Sequence, residues 1–574
     1  MSLDIKLNNM IKNISFLLLI FCFFDISLSA QYNPLHIPDT LSGTQFNLTL
    51  IDTFTQLRSG NQTITSGVNK NVFWGPTLIF NQGDTVHMNV RNNLNDSTTI
   101  HWHGFHLPAV MDGGPHQIIP PGTIWQPYWK VTNQASTYWY HPHLHQMTQE
   151  QMTKGLGGFI IVRDAEEAKL ALPRTYGIDD IPLALTSRRY DASNQFVFVN
   201  SAYGDYMLTN GTPNAEVSLP KQFVRLRILN AEMERAYNLG FSDNRTFYII
   251  GNDGGLLNAP VPVTRMILAV GERVEIMVDL GNDAVGSVLD LNAYNSGFAL
   301  GFPGGEPATS GQFGSLLNNT TFSVLHVIIA SPTANGITAL PQTLANNTYP
   351  TAADATVNRT LNVTGGQGPV PFSFDNAPFV FSKINKTIDI NTTEKWTITN
   401  NNIFGHAFHI HDVQFKIVSR SSGAVAPYES GWKDVLYLPR SESATFVARF
   451  TDYSDDIHPF MYHCHFANHE DGGMMGQFVV TGETTSTKEV APLPIEFTLY
   501  PNPTDDRIYI SFNDPSVEVY YIRLTNASGR TIYMLPRPHW QAGIDVSHLA
   551  SGIYMLQLTD EKTKEVTTRS FVKK

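Results

Sequence analysis

Ten of the 19 histidines in this 574-residue chain fall in four short clusters. They are His101-Trp102-His103, His141-Pro142-His143, His406-Ala407-Phe408-His409-Ile410-His411, and His463-Cys464-His465 followed by His469 and Met474. Each contains His-x-His. On a β-strand, residues i and i+2 point to the same face, so each motif sends two imidazoles to one side of a sheet. Four strand segments must then converge, two from early and two from late in the chain, and together they can surround a small group of metal ions. One such motif arises easily by chance or as an adventitious zinc site; four together do not.

The rest of the sequence agrees with a β architecture. Short alternating segments (Thr85–Val90, Phe159–Val162, Val224–Leu229, Arg273–Val278, Phe446–Phe450, Phe478–Val480) recur between Gly, Pro, Asn and Asp, and helical periodicity is scarce. That pattern predicts sandwiches or barrels. Composition shifts near Asp164–Arg174, Ser331–Asn358 and Gly482–Pro494 divide the chain into three blocks of similar size and a shorter C-terminal one. Histidine clusters occupy the first and third blocks, which looks like an old duplication. The middle block holds only His326 and reads as a spacer or wall.

Net charge is −12, with no basic run to track a phosphate backbone, so nucleic acid is not an expected partner. Lys6 and Lys12 precede the apolar run Ser15–Phe24, and small residues follow in Ser27–Ala30, the pattern of a secretory signal over residues 1–30. The run is about half the ~20 apolar residues a spanning helix needs, so no transmembrane segment is expected. Cys22 lies within the signal, leaving Cys464 as the single cysteine of the exported chain. A disulfide within the chain is thereby excluded.

Within His463-Cys464-His465 the two histidines face one way and Cys464 the other, so one segment touches two different sites. A lone thiolate with two imidazoles and a weak thioether is the ligand set of a blue-copper centre. Cys464, His406 and His469 supply the trigonal set and Met474 the long axial position. Zinc, the competing reading, has no redox use for this arrangement and more usually collects several cysteines.

These clusters, with Asp112–Pro115, Ile118–Gly122, Tyr206–Gly211, Asp253–Gly255 and Gly431–Asp434, resemble those of bacterial three-domain multicopper oxidases. In that group stand cuprous oxidases, spore-coat laccases and bilirubin oxidases. The resemblance runs from about Phe46 to Thr481. It implies an all-β chain of three consecutive cupredoxin-like Greek-key β-sandwiches, at 31–168, 169–335 and 359–483, with linkers at 336–358 and 484–494. It also implies four copper ions. His101 and His409 would hold the type 2 copper; His103, His141, His143, His411, His463 and His465 the type 3 pair; His406, Cys464, His469 and Met474 the type 1 copper. Asp112 and Glu470 would relay the protons that reduction of O₂ to water consumes; the alternatives are a turn aspartate and a solvated glutamate. His106 breaks the register of its cluster. His145 keeps its register, but the family's ligand set is complete without it. His36, His87, His116, His326, His458, His539 and His548 have no partners in sequence.

The expected activity is oxidation of a small donor (a phenol, aromatic amine or bilirubin-like pigment) coupled to four-electron reduction of O₂. The cuprous oxidases carry a methionine-rich insertion and acidic or thioether ligands for substrate copper. Here Ser331–Asn358 lacks methionine and Asn401–Gly405 lacks both ligand types, so metal-ion oxidation is the alternative. A blue-copper electron carrier leaves most of the clustered histidines unexplained, and a non-catalytic copper-binding or storage protein is the bland alternative. A copper nitrite reductase places a histidine on only one side of the cysteine. The last block, 495–574, resembles the C-terminal sorting domain of the type IX secretion system in Tyr500–Pro503, Gly529-Arg530, Ser551–Tyr554 and Phe571–Lys574; alone it would be one more small β-sandwich. The expectation is a monomer, secreted or held at the cell surface, with both terminal segments removed.

Overall fold

The structure, a computed structural model, describes residues 32–71, 73–198, 203–309, 313–366, 370–482, 497–512, 519–526, 531–536, 543–560 and 566–574. The signal segment 1–30 and His539 lie outside these. Among the described residues no helix is long and apolar enough to cross a membrane.

Nearly all regular structure is β. In the first sandwich, Thr85–Asn93 alternates so that Val86, Met88 and Val90 enter the core while the residues between them face outward. Its partner sheet runs in the order Thr40–Ser42, Thr77–Asn81, Gly158–Arg163, Ser136–His141, His101–His103. The third sandwich repeats this plan with Lys386–Asp389, Met475–Thr481, Asp455–Cys464, His406–Ile410 and Val435–Leu438. Both histidine-bearing sheets thus carry their clusters on neighbouring antiparallel strands. His141 stands opposite His101, and His409 opposite His463.

The middle sandwich has six- and seven-stranded sheets. Its first strand, Asn33–Pro34, comes from the N-terminal edge of the chain and pairs in parallel with Ala215–Glu216, although those residues were expected in the first block. Farther on, Leu344 joins the middle core and Asn347 bonds Leu256 and Asn258, so part of the expected linker is docked on that sandwich.

Phe223–Asn230 departs from a half-exposed strand. Val224, Leu226 and Ile228 enter the core, yet Arg225 and Arg227 on the opposite face are also buried. That face packs against the first block: Arg227 bonds Thr137, Asp180 and Glu275, and Arg225 bonds Glu167 and Glu275. Alternation locates the two faces of a strand but does not say what covers the polar one.

The C-terminal block forms three- and four-stranded sheets around a core of its own, including Phe497, Ile508, Leu524, Leu556 and Phe571.

Candidate metal centres

Because the strand of the first cluster is buried on both faces, Trp102 can enter the first sandwich's core while His101 and His103 face the third sandwich. The other clusters sit at strand ends. Ser136–His141, His406–Ile410 and Asp455–Cys464 each stop just short of His143, His411 and His465.

The eight histidines form three interlocking groups. Nδ1 of His103 lies 3.4 Å from Nε2 of His141 and 3.2 Å from Nε2 of His465. Nε2 atoms of His143, His411 and His463 lie 3.1–3.3 Å apart. Nε2 atoms of His101 and His409 are buried without a hydrogen-bond partner, and both residues fall in a metal-sized grouping with His411. The His141/His143 and His463/His465 pairs divide between the first two groups, whereas His101 with His103 and His409 with His411 also share metal-sized groupings. Strand rise puts i and i+2 roughly 6.6 Å apart on one face, a spacing that also lets one motif serve two neighbouring ions. Four motifs thereby cross-link three sites.

The outward nitrogens are held in place. His101 Nδ1 and His409 Nδ1 lie 2.9 and 2.8 Å from the carbonyl oxygens of Asp112 and Asp434. His411 Nδ1 lies 2.7 Å from Asp112 Oδ2. Glu470 spans His143 Nδ1 at 3.1 Å and His463 Nδ1 at 3.3 Å, and accepts from Thr148 Oγ1 at 2.6 Å. Both carboxylates are buried, so neither a solvated glutamate nor an unattached turn aspartate describes them. The Asp112 turn depends on Gly113 (φ +78°), where a Cβ would lie 1.7 Å from the Ile100 carbonyl oxygen.

On the opposite face, Cys464 Sγ lies 3.6 Å from Nδ1 of His406 and of His469. The short helix Ala467–Asp471 carries His469 and Glu470. Successive helical residues diverge by about 100°, which lets His469 serve this site while Glu470 serves the cluster. Met474 is fully buried; its carbonyl accepts from the Cys464 amide at 3.1 Å and its amide donates to the His469 carbonyl at 2.9 Å. The Phe372 ring centroid is 4.2 Å from that of His469, and Glu234 lies 3.9 Å from His469 Nε2.

Burial sets the protonation states. It lowers His406 and His463 to about 3 and holds His103, His141, His409, His411, His465 and His469 well below the usual imidazole range. Neutral imidazole is the metal-binding form. Burial opposes ionisation of Glu470, but His143 and His463 outweigh it and bring the carboxyl to about 2. Cys464 is pushed up to about 12 by burial, so a thiolate there requires a cation beside it. Soft sulfur with two imidazoles, two orphaned buried nitrogens and neutral histidines fit copper ions.

Sequence reading did not single out Asp434, Arg273, Thr148 or Glu234, although it quoted the Gly431–Asp434 motif. Among the histidines read as bland, His106 pairs with Asp412 and Asp452, His116 with Gln477, and His326 with Asp290. His145 packs edge-on against Phe379.

Comparison with known proteins agrees with this geometry. Multicopper oxidase models match residues 52–167 and 350–483, and a secretion system C-terminal sorting domain model matches 498–574. A multicopper oxidase of Staphylococcus haemolyticus is 30% identical over 74% of this chain and 86% of its own. A cell division protein, FtsP, of Xenorhabdus nematophila is 32% identical over 72% and 86%. Among solved structures, the laccase-like multi-copper oxidase CueO from the lignin-degrading bacterium Ochrobactrum sp. superposes with a TM-score of 0.70 at 29% identity, covering 78% of this chain and all of that one. With three cupredoxin-like sandwiches, the clustered histidines and a relative matched over most of its length, the chain belongs to the multicopper oxidase family.

Proposed function

We propose that this protein couples four one-electron oxidations of an aromatic donor, a phenol, aromatic amine or bilirubin-like pigment, to reduction of one O₂ to two waters. His406, Cys464, His469 and Met474 would hold a type 1 copper, His101 and His409 a type 2 copper, and His103, His141, His143, His411, His463 and His465 a type 3 pair. Copper at these places supplies one-electron oxidation of the donor at the Cys464 site and O₂ reduction within the histidine cluster.

The chain's own residues keep the two chemistries apart and connect them. Cys464 reaches one site with its side chain, and its backbone continues into His463 and His465 at the other. His463 Nδ1, 3.0 Å from the Cys464 carbonyl oxygen, adds a shorter path. Donor and O₂ need never meet. Asp112 and Glu470 hold imidazoles on both sides of the cluster and serve as its proton carriers. Phe372 and Glu234 beside His469 offer an aromatic surface and a hydrogen-bond acceptor to a donor's hydroxyl or amine. The reported activity of the Ochrobactrum relative toward lignin model compounds supports an aromatic donor.

The observation that carries this reading is the single thiolate flanked by two cluster histidines, Sγ 3.6 Å from His406 and His469. A second reading, a copper-binding member with a role other than oxidation, is favoured by the FtsP likeness. Oxygen uptake by the copper-loaded protein across phenols, bilirubin, Cu(I), Fe(II) and Mn(II) separates the readings: uptake with aromatic donors supports the first, preference for Cu(I) or another metal ion points to metal-ion oxidation, and none with any donor supports the second. The sorting domain fits export, with the signal segment and that domain removed from the mature, monomeric protein.

A further inference from the structure

We infer that the middle sandwich is a working part of the histidine cluster: its Arg273, acting through Asp434, decides which nitrogen of His103 faces the metals. The inference rests on the copper-cluster reading above. His103 is inverted relative to its neighbours. His101, His141, His143, His409, His411 and His463 all turn Nδ1 toward a carbonyl or carboxylate, whereas His103 turns Nδ1 inward and places Nε2 3.1 Å from Asp434 Oδ1.

Arg273 holds Asp434 in a two-pronged grip, Nη1 to Oδ1 at 2.5 Å and Nη2 to Oδ2 at 2.6 Å. Its remaining donors go to the carbonyls of Thr137, Gly271 and Asp253. All five guanidinium N–H groups are thereby used, and the side chain is fully buried. A carboxylate gripped through both oxygens only accepts hydrogen bonds. His103 must therefore carry its proton on Nε2, which leaves the Nδ1 lone pair directed at His141 and His465. Behind Arg273, Asp253 accepts from the Arg273 amide and pairs with Lys433 at 2.9 Å. The turn just before the strand Arg273–Asp279 also touches the cluster directly. Gly271 (φ +83°) lies so close to His465 that a Cβ would be 2.8 Å from its ring. Gly271 and Arg273 thus shape two of the three residues in the His103, His141, His465 group.

The test uses the full-length, copper-loaded protein and the Asp434→Asn variant. Asp434 Oδ1 serves both Arg273 Nη1 and His103 Nε2, and Oδ2 serves Nη2, so in that variant the NH₂ group opposes an arm of the Arg273 fork whichever way the amide lies. The grip opens, the acceptor is no longer held at His103 Nε2, and the imidazole proton is free to move to Nδ1, the metal-facing nitrogen. The expected result is unchanged blue absorption per chain, with the EPR-silent copper pair made EPR-visible or lost, and copper retention weakened about 10- to 100-fold. Arg273→Lys should keep more of the silent pair than Arg273→Met, because it preserves the charge. Gly271→Ala, with Arg273 and Asp434 intact, should disturb the same pair through His465, and the two Arg273 variants decide the matter if Asp434→Asn does not fold. A silent pair and full copper content retained in Asp434→Asn, or in both Arg273→Met and Gly271→Ala, would overturn the inference. A parent protein that shows no EPR-silent pair overturns the cluster reading itself and the inference with it.

Discussion

Asp112 and His411 come from different sandwiches, 299 positions apart, yet Asp112 Oδ2 lies 2.7 Å from His411 Nδ1. The same carboxylate lies 3.3 Å from His101 Nδ1 through Oδ1. Asp112 therefore holds two proposed ligands of different coppers, His411 through Oδ2 and His101 through its backbone carbonyl, and its Oδ1, without a hydrogen-bond partner, offers a proton carrier. Asp112→Asn retains one acceptor oxygen and should keep copper nearly intact while slowing O₂ reduction by about 10²- to 10⁴-fold, the range for loss of a general acid–base group. Asp112→Ala removes both acceptors and should also lose copper. Copper analysis beside turnover distinguishes the two; equal copper loss in both variants would make Asp112 a structural residue only.

Cys464→Ser should abolish blue colour and turnover together while leaving the EPR-silent pair in place, since Cys464 Sγ faces both His406 and His469. Visible absorption and EPR on one sample check this. A variant that stays intensely blue contradicts the assignment.

The copper-free protein should lose stability on acidification from about pH 6.5 toward 3. His406 and His463 titrate at about 3 when folded and at about 6.5 when unfolded. Between those values the unfolded chain binds more protons, about two from these residues alone, so stability rises with pH across the window and falls as acid is added. Urea midpoints at pH 7 and pH 5 measure it; equal midpoints would contradict the buried, neutral state. Bound copper should be held until the pH approaches about 3, where protons begin to compete for the same nitrogens in the folded chain.

Glu275→Ala should cost about 3–5 kcal/mol, the range for breaking a buried ion pair from one side. Arg225 and Arg227 both donate to Glu275, as does Thr137 of the first sandwich. Denaturant unfolding with unchanged blue absorption in the folded variant is the check. A loss below about 1 kcal/mol, the scale of a solvent-exposed pair, would contradict it.

What the sequence disclosed follows from distance along the chain. His-x-His and His-Cys-His are readable because strand geometry alone aims neighbouring residues, with no need to know the fold. Glu470 is readable through its place after His469. Partnerships across blocks leave no such trace: Arg273 with Asp434 is 161 positions apart, and Glu234 with His469 belongs to two sandwiches. Arg225 and Arg227 look like the wet face of a strand until the first block covers them. The middle block, read as a spacer or wall because it lacks clustered histidines, sets Arg273 and Gly271 against the cluster. Ligands are named by residue type, but the groups that orient them can be any charged or small residue, and only the assembled fold reveals which.

The proposed function requires one buried thiolate to link a donor site to a site that reduces O₂ by four electrons. The number of donor electrons consumed per O₂ by the fully copper-loaded protein, with peroxide assayed alongside, tests it. Four electrons per O₂ and no peroxide are expected. Two electrons per O₂ with peroxide released, or no oxygen uptake by fully loaded protein, would contradict it.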